Sequence, residues 1–116
     1  MSQNLELARL YLGKTVTVIV DCSIGSKHPR EGFIYKANYG YIPNTLARDG
    51  AELDAYFLGT NEPLEKATGI CVAIIHRLNE ADKLVVIPAS VKLSDEEVKK
   101  AVHFQEQFFK SIILRT

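Results

Sequence analysis

Three acids crowd one turn: Asp49, Glu52 and Asp54 lie within six residues around Gly50. Glu80 and Asp82 sit on a second turn, between two apolar runs. Carboxylates drawn together repel, so a fold that gathers them needs a divalent cation or basic side chains in compensation. Mg²⁺ suits such a cluster, because it takes oxygen ligands, keeps several waters and needs only about two to four carboxylates. Spacing alone favours a plainer reading, with Asp49-Gly50 an Asx-type turn and Asp54 a solvated strand residue. A second group is Asn38-Tyr39-Gly40-Tyr41-Ile42-Pro43, with Phe33 and Tyr35 just before it. A tyrosine hydroxyl beside a metal can donate to a developing oxyanion. Without context, the same run reads as aromatic packing with satisfied hydroxyls. The cations are Lys27, His28 and Arg30 in one polar stretch, Lys36 and Arg48 near the acids, Lys83 beside Asp82, and Lys110. Lysine and arginine hold anions through charge-assisted bonds, although each of these taken singly reads as a surface charge. His76 and His103 read as structural, and no His or Cys stands at metal spacing from His28. The glycine-rich phosphate loops and the serine nucleophile motif are absent.

These residues need elements to position them. Leu5, Ala8 and Leu12 fall on one face of a helix over Gln3–Leu12, widened by Leu7, Leu10 and Tyr11 and stopped by Gly13. Thr15 to Val20 is a strand by its β-branched composition. Asp21 to Glu31 reads as a loop, and Phe33 to Tyr35 as a short strand. Asn38 to Arg48, with Gly40, Pro43 and Asn44, reads as irregular. Leu53–Leu58, Gly69–Leu78 and Leu84–Ile87 are strands, the last two joined through Asn79–Asp82 as a hairpin. Ser94 with Glu97 three residues on forms a capping box. Behind it, Val98, Ala101, Val102, Phe108, Phe109, Ile112 and Ile113 keep helical spacing. One short N-terminal helix, several strands and one long C-terminal helix predict an α+β, mainly β fold. Its centre is a small closed or curled barrel of five to six strands.

The bulk numbers agree with a modest soluble chain. The 116 residues point to one domain over 1–116 with a sizeable core. Lys+Arg and Asp+Glu number 14 each, and zero net charge argues against a nucleic-acid partner. No stretch approaches the apolar length of a membrane span, so the expectation is no membrane partner and a cytoplasmic location. Cys22 and Cys71 each sit in or beside an apolar run, and read as buried free thiols.

The run Tyr35 to Gly59, YKANYGYIPNTLARDGAELDAYFLG, resembles the core of the soluble family I inorganic pyrophosphatases. Those enzymes carry an NYGFIP-type segment, a fixed gap and an acidic signature. Asp49, Gly50, Glu52, Leu53 and Asp54 match that signature. CVAII and DKLVVIP are similar to the strands that follow, and HFQEQFFK to the family's terminal helix. The similarity spans Thr15 to about Ile113. It implies an OB-like barrel of the pyrophosphatase type, with Asp49, Asp54 and Asp82 as Mg²⁺ ligands. Tyr39 and Asp54 become catalytic candidates, and Lys83 and Lys110 phosphate contacts. Asp21 stands where the family has a site glutamate. Four departures stand out. Ala51 replaces the middle acid of the signature, near the attacking water; Asn79 stands where another ligand acid is expected; Phe109 replaces the helix tyrosine. Ser23 to Phe33 is shorter than the family's hairpin, leaving Lys27 and Arg30 as substitute cations.

The resemblance therefore implies Mg²⁺-dependent hydrolysis of inorganic pyrophosphate, with weakened turnover where Ala51 leaves a carboxylate missing. Glu31 or Glu52 is a candidate to supply it. The rivals are a hydrolase of another small phosphorylated compound and a binding or structural relative without turnover. By resemblance to the family's bacterial members, a homo-oligomer is expected.

Overall fold

The computed structural model describes residues 7–46, 50–78 and 81–115. Residues 7–9 are helical, and a turn through Gly13, at φ 82°, leads into the first strand. The earlier part of the helix expected over Gln3–Leu12 lies outside the described residues. Strand β1 runs Thr15–Cys22, β2 Asn38–Ile42, β3 Leu53–Phe57, β4 Lys66–Arg77 and β5 Lys83–Ile87. Helix α1 follows at Asp95–Glu106, and strand β6 at Ser111–Arg115.

The sheet order is β1-β2-β3-β5-β4-β6, and a further β1–β4 pairing closes the first five strands into a barrel. β3 and β5 are parallel and the other pairs antiparallel. The long β4 meets β1 along its first half and β6 along its second. Val18, Ile42, Leu53, Phe57, Ile74, Leu84 and Val86 fill the barrel, with Ala8 packed against them. On the outer face Tyr56, Ile75, Val85 and Ile87 pack beneath Val98, Val102 and Phe104 of α1. Both faces of β5 are thus covered, which explains its unbroken apolar run. A register shift between Cys71 and Ala73 lets β4 feed both layers.

The short N-terminal helix, the barrel and the C-terminal helix agree with the sequence reading, and three local expectations change. Asn38 to Ile42 is a strand, with Gly40 opposite Val20 and Ala55. The glycine there serves close packing of strands, not a turn. Helix α1 ends at Glu106, and Ile112 and Ile113 belong to β6, opposite His76 and Ile75. Both residues satisfy helical spacing, but the open second half of β4 offers them backbone partners that an isolated helical turn lacks. Between Phe33 and Tyr35, Ile34 makes only a single bridge to Lys27. At the other end of α1 the capping box is formed: Ser94 Oγ accepts from the Glu97 amide at 3.2 Å, and Glu97 Oε1 from the Ser94 amide at 2.9 Å.

A Cβ on Gly40 would lie 1.8 Å from the Ile19 carbonyl oxygen, a backbone atom that cannot swing away. Gly40→Ala is expected to lower stability by about 3 kcal/mol or more. A urea midpoint within error of the wild type would contradict the close β1–β2 approach.

Candidate functional site

Alternation along β3 and β5 sends Asp54, Tyr56, Lys83 and Val85 to the outer face of the barrel. Asp54 and Lys83 are direct partners in the parallel register. Lys83 Nζ donates to Asp54 Oδ2 at 2.5 Å, with the lysine buried and the aspartate side chain 39% exposed. Tyr39, on β2, faces Tyr56 across the strands with ring centroids 4.8 Å apart. Its hydroxyl is pushed well above the ordinary tyrosine range, chiefly by burial and then by the nearby Asp54 carboxylate, while Arg77 pulls the other way. Tyr39 therefore feels both Asp54 and Arg77.

Arg77 was not singled out from sequence, and it anchors the site's floor. Nε and Nη2 donate to the two carboxylate oxygens of Glu106, at 2.9 and 2.5 Å, a bidentate pair buried between β4 and α1. The Tyr56 hydroxyl donates to Glu106 at 2.6 Å and accepts from Gln105 at 2.6 Å. The guanidinium lies 3.7 Å from the centroid of the Phe109 ring. The one sequence signal for this network is a pair of charged residues inside otherwise apolar patterns, Arg77 ending a β-branched run and Glu106 within HFQEQFFK.

Above Arg77 a cavity of about 520 Å³ opens, bounded by Tyr35, Tyr39, Gln105, Phe108 and the 28–33 loop. His28 shapes that loop: its Nδ1 accepts from the amides of Arg30 and Glu31 at 3.1 and 3.0 Å, and its own amide donates to the Phe33 carbonyl. Arg30 and Glu31 consequently line the cavity mouth. Asn38 ties the surroundings together, its Oδ1 accepting from the amides of Ile24 and Leu64 and its Nδ2 donating to the Glu62 carbonyl.

The structure brings Tyr39, Arg30 and Glu31 to one cavity, and sets the Asp54–Lys83 pair on the same face of the barrel. Lys27 is exposed on the bridge to Ile34, and Lys110 is exposed beyond Phe109. Asp21 and Glu52 are exposed, at the end of β1 and just before β3. Asp82 is buried; its Oδ1 meets His76 Nδ1 at 2.7 Å and its Oδ2 has no hydrogen-bond partner among the described residues. Asp49, Arg48, Asn79 and Glu80 lie outside the described residues. Among the described residues no three His, Cys, Asp or Glu side chains are grouped to hold a metal. The carboxylates fit Mg²⁺ in kind, being hard oxygen donors. Cys22 and Cys71 are free thiols, Cys71 buried and Cys22 partly so. No helix among the described residues is long and apolar enough to cross a membrane.

The sequence model of the family described as inorganic pyrophosphatase matches residues 25–113. An inorganic pyrophosphatase of Pseudomonas aeruginosa is 36% identical over 74 residues, covering 59% of this chain and 42% of that protein. One from Neisseria meningitidis serogroup A is 33% identical over 88 residues, covering 69% and 48%. The chain thus spans about half the length of the curated relatives it matches. Among solved structures, the inorganic pyrophosphatase of Ehrlichia chaffeensis superposes with a TM-score of 0.69 at 18% identity, over 90% of this chain and 87% of that one. That of Helicobacter pylori gives 0.66 at 20% identity, over 88% and 85%. At such identities the superposition establishes the shared barrel.

The packed tyrosines carry a pH signature. Tyr35, Tyr39 and Tyr56 are all pushed above the usual phenol range, in each case first by burial. A folded-state value above the unfolded one, about 10, contributes stability that is intact below that pH and lost as pH rises past it. Alkaline titration should therefore show these three hydroxyls ionising together with unfolding. Reversible ionisation of all five tyrosines in a chain that keeps its folded circular dichroism would refute the burial.

Proposed function

The chain belongs to the inorganic pyrophosphatase family, and from that premise we propose that it hydrolyses inorganic pyrophosphate to phosphate with Mg²⁺. It would do so as one domain in the cytoplasm, and as a homo-oligomer like the family's bacterial members. The observation that carries the reading is the Asp54–Lys83 pair on the barrel's outer face. It sets Asp54, from the stretch that resembles the family's acidic signature, beside one buried cation.

Asp54 would hold the metal together with Asp49, whereas Asp82, buried against His76, is not grouped with Asp54 among the described residues. A bound Mg²⁺ lowers the pKa of its water and offsets the charge of the phosphate oxygens. The chain's own residues supply the rest. Lys83 would set a positive charge beside Asp54 and towards the anion. The Tyr39 hydroxyl, kept protonated by burial, is a donor over the whole neutral range and suits a phosphoryl oxygen. Arg30, on the His28-braced turn, offers a guanidinium at the cavity mouth, with Lys27 and Lys110 as outer cations. Asp21, Glu31 and Glu52 are the remaining acids, and Glu31 is the one on the cavity wall.

Ala51 leaves the signature one acid short, and it is exposed just ahead of β3. Loss of a positioned base typically costs about 10² to 10⁴ in rate, so slow turnover is expected.

Two measurements test the reading. Phosphate release from pyrophosphate should need Mg²⁺, stop with a chelator, and fall about 100-fold or more in Asp54→Asn; equal rates for variant and wild type would remove Asp54 from the chemistry. Ala51→Asp, which returns a carboxylate to the signature, should raise kcat at least about tenfold. An unchanged or lower rate would show that the missing acid is not what limits this chain.

A further inference from the structure

The cavity above Arg77 has two unlike walls. Its floor is polar: Arg77, itself only 7% exposed, with Gln105 and Tyr39. Its side is aromatic: the Phe33 and Phe108 rings stack at 5.8 Å and 23°, and Phe108 stays 55% exposed. A bare inorganic anion draws on the floor alone, and an apolar wall strips its water without replacing the lost bonds. Glu31 at the mouth accepts hydrogen bonds and donates none, which repels a phosphate but suits a hydroxyl or amino group. The volume, about 520 Å³, lies in the range of sites for drug-sized molecules.

We propose that this cavity takes a phosphate ester bearing a planar ring, in chemical class a nucleoside phosphate. The phosphate meets Arg30 and Arg77, whose Nη1 is the part of the guanidinium that the Glu106 fork does not use. The ring lies on the Phe33–Phe108 wall, and Glu31 receives donors of the sugar or base. The assignment of the phosphate end rests on the phosphate-handling role proposed above; the aromatic end is independent of it. Stacking of a base on an aromatic side chain is sequence-tolerant and strengthens binding by roughly ten- to hundredfold.

The test is calorimetric titration of the full chain with adenosine 5′-monophosphate and with orthophosphate, alongside phosphate release from pyrophosphate by the same sample. The nucleotide is expected to bind at least tenfold tighter than orthophosphate. Phe108→Ser should bring it down to the orthophosphate level, and Phe108→Tyr should restore the preference. Equal affinities in the wild type, or equal losses for both ligands in Phe108→Ser, would overturn the proposal. So would a change of oligomeric state in Phe108→Ser with nucleotide affinity intact, since that assigns the rings to a self-contact. Pyrophosphate turnover without nucleotide preference sinks this inference and leaves the catalytic reading standing. Nucleotide preference without turnover does the reverse.

Discussion

The bidentate pair between Arg77 and Glu106 fixes how the helical layer sits on the barrel. It joins the last residue of β4 to the last of α1, both buried, and it recruits Tyr56 from β3 and Gln105 from α1 into one satisfied cluster. Apolar packing beneath α1 is tolerant of sliding. The fork is not, because a shift of one helical turn would strand a buried carboxylate and a buried guanidinium, and breaking such a pair typically costs about 3–5 kcal/mol. The Arg77 pKa is accordingly raised, with Glu106 overcoming the burial that alone would lower it. With α1 held there, the Phe104 ring seats edge-on against Tyr35 and Tyr56, and the cavity keeps its floor.

A second consequence concerns charge. The described face carries Asp54 with Lys83 and Glu106 with Arg77, so its acids are already balanced by cations held in place. Three clustered acids would make an empty site self-repelling and dependent on metal for order. Here the replacement of one signature acid by Ala51 reduces that repulsion.

Legibility from sequence followed the same physics. Strands β1, β3, β4 and β5 were readable because β-branched runs leave few alternatives, and the capping box marked the start of α1. The family membership was readable from Tyr35 to Gly59, where several residue types recur at fixed gaps. β2 was hidden because Gly40, Pro43 and Asn44 look like loop punctuation, although Gly40 answers the nearness of the Ile19 carbonyl. β6 was hidden because Phe108, Phe109, Ile112 and Ile113 satisfy helical spacing as well as strand composition. Arg77 and Glu106 could not be paired in advance: their separation of 29 residues is closed only by the β4–β6 edge and the end of α1.

The segment before Phe33 is braced by its own side chains. A loop of this length cannot reach far, but it can be stiff. His28 accepts two amides through Nδ1, Gly32 takes φ 77° to close the turn, and the His28 ring packs 4.7 Å from Phe33. The loop's order therefore rests on these two amide bonds and on contact with the aromatic wall. The same rings that form the cavity's side also hold the loop that carries Arg30 and Glu31, so the mouth and the wall behave as one unit.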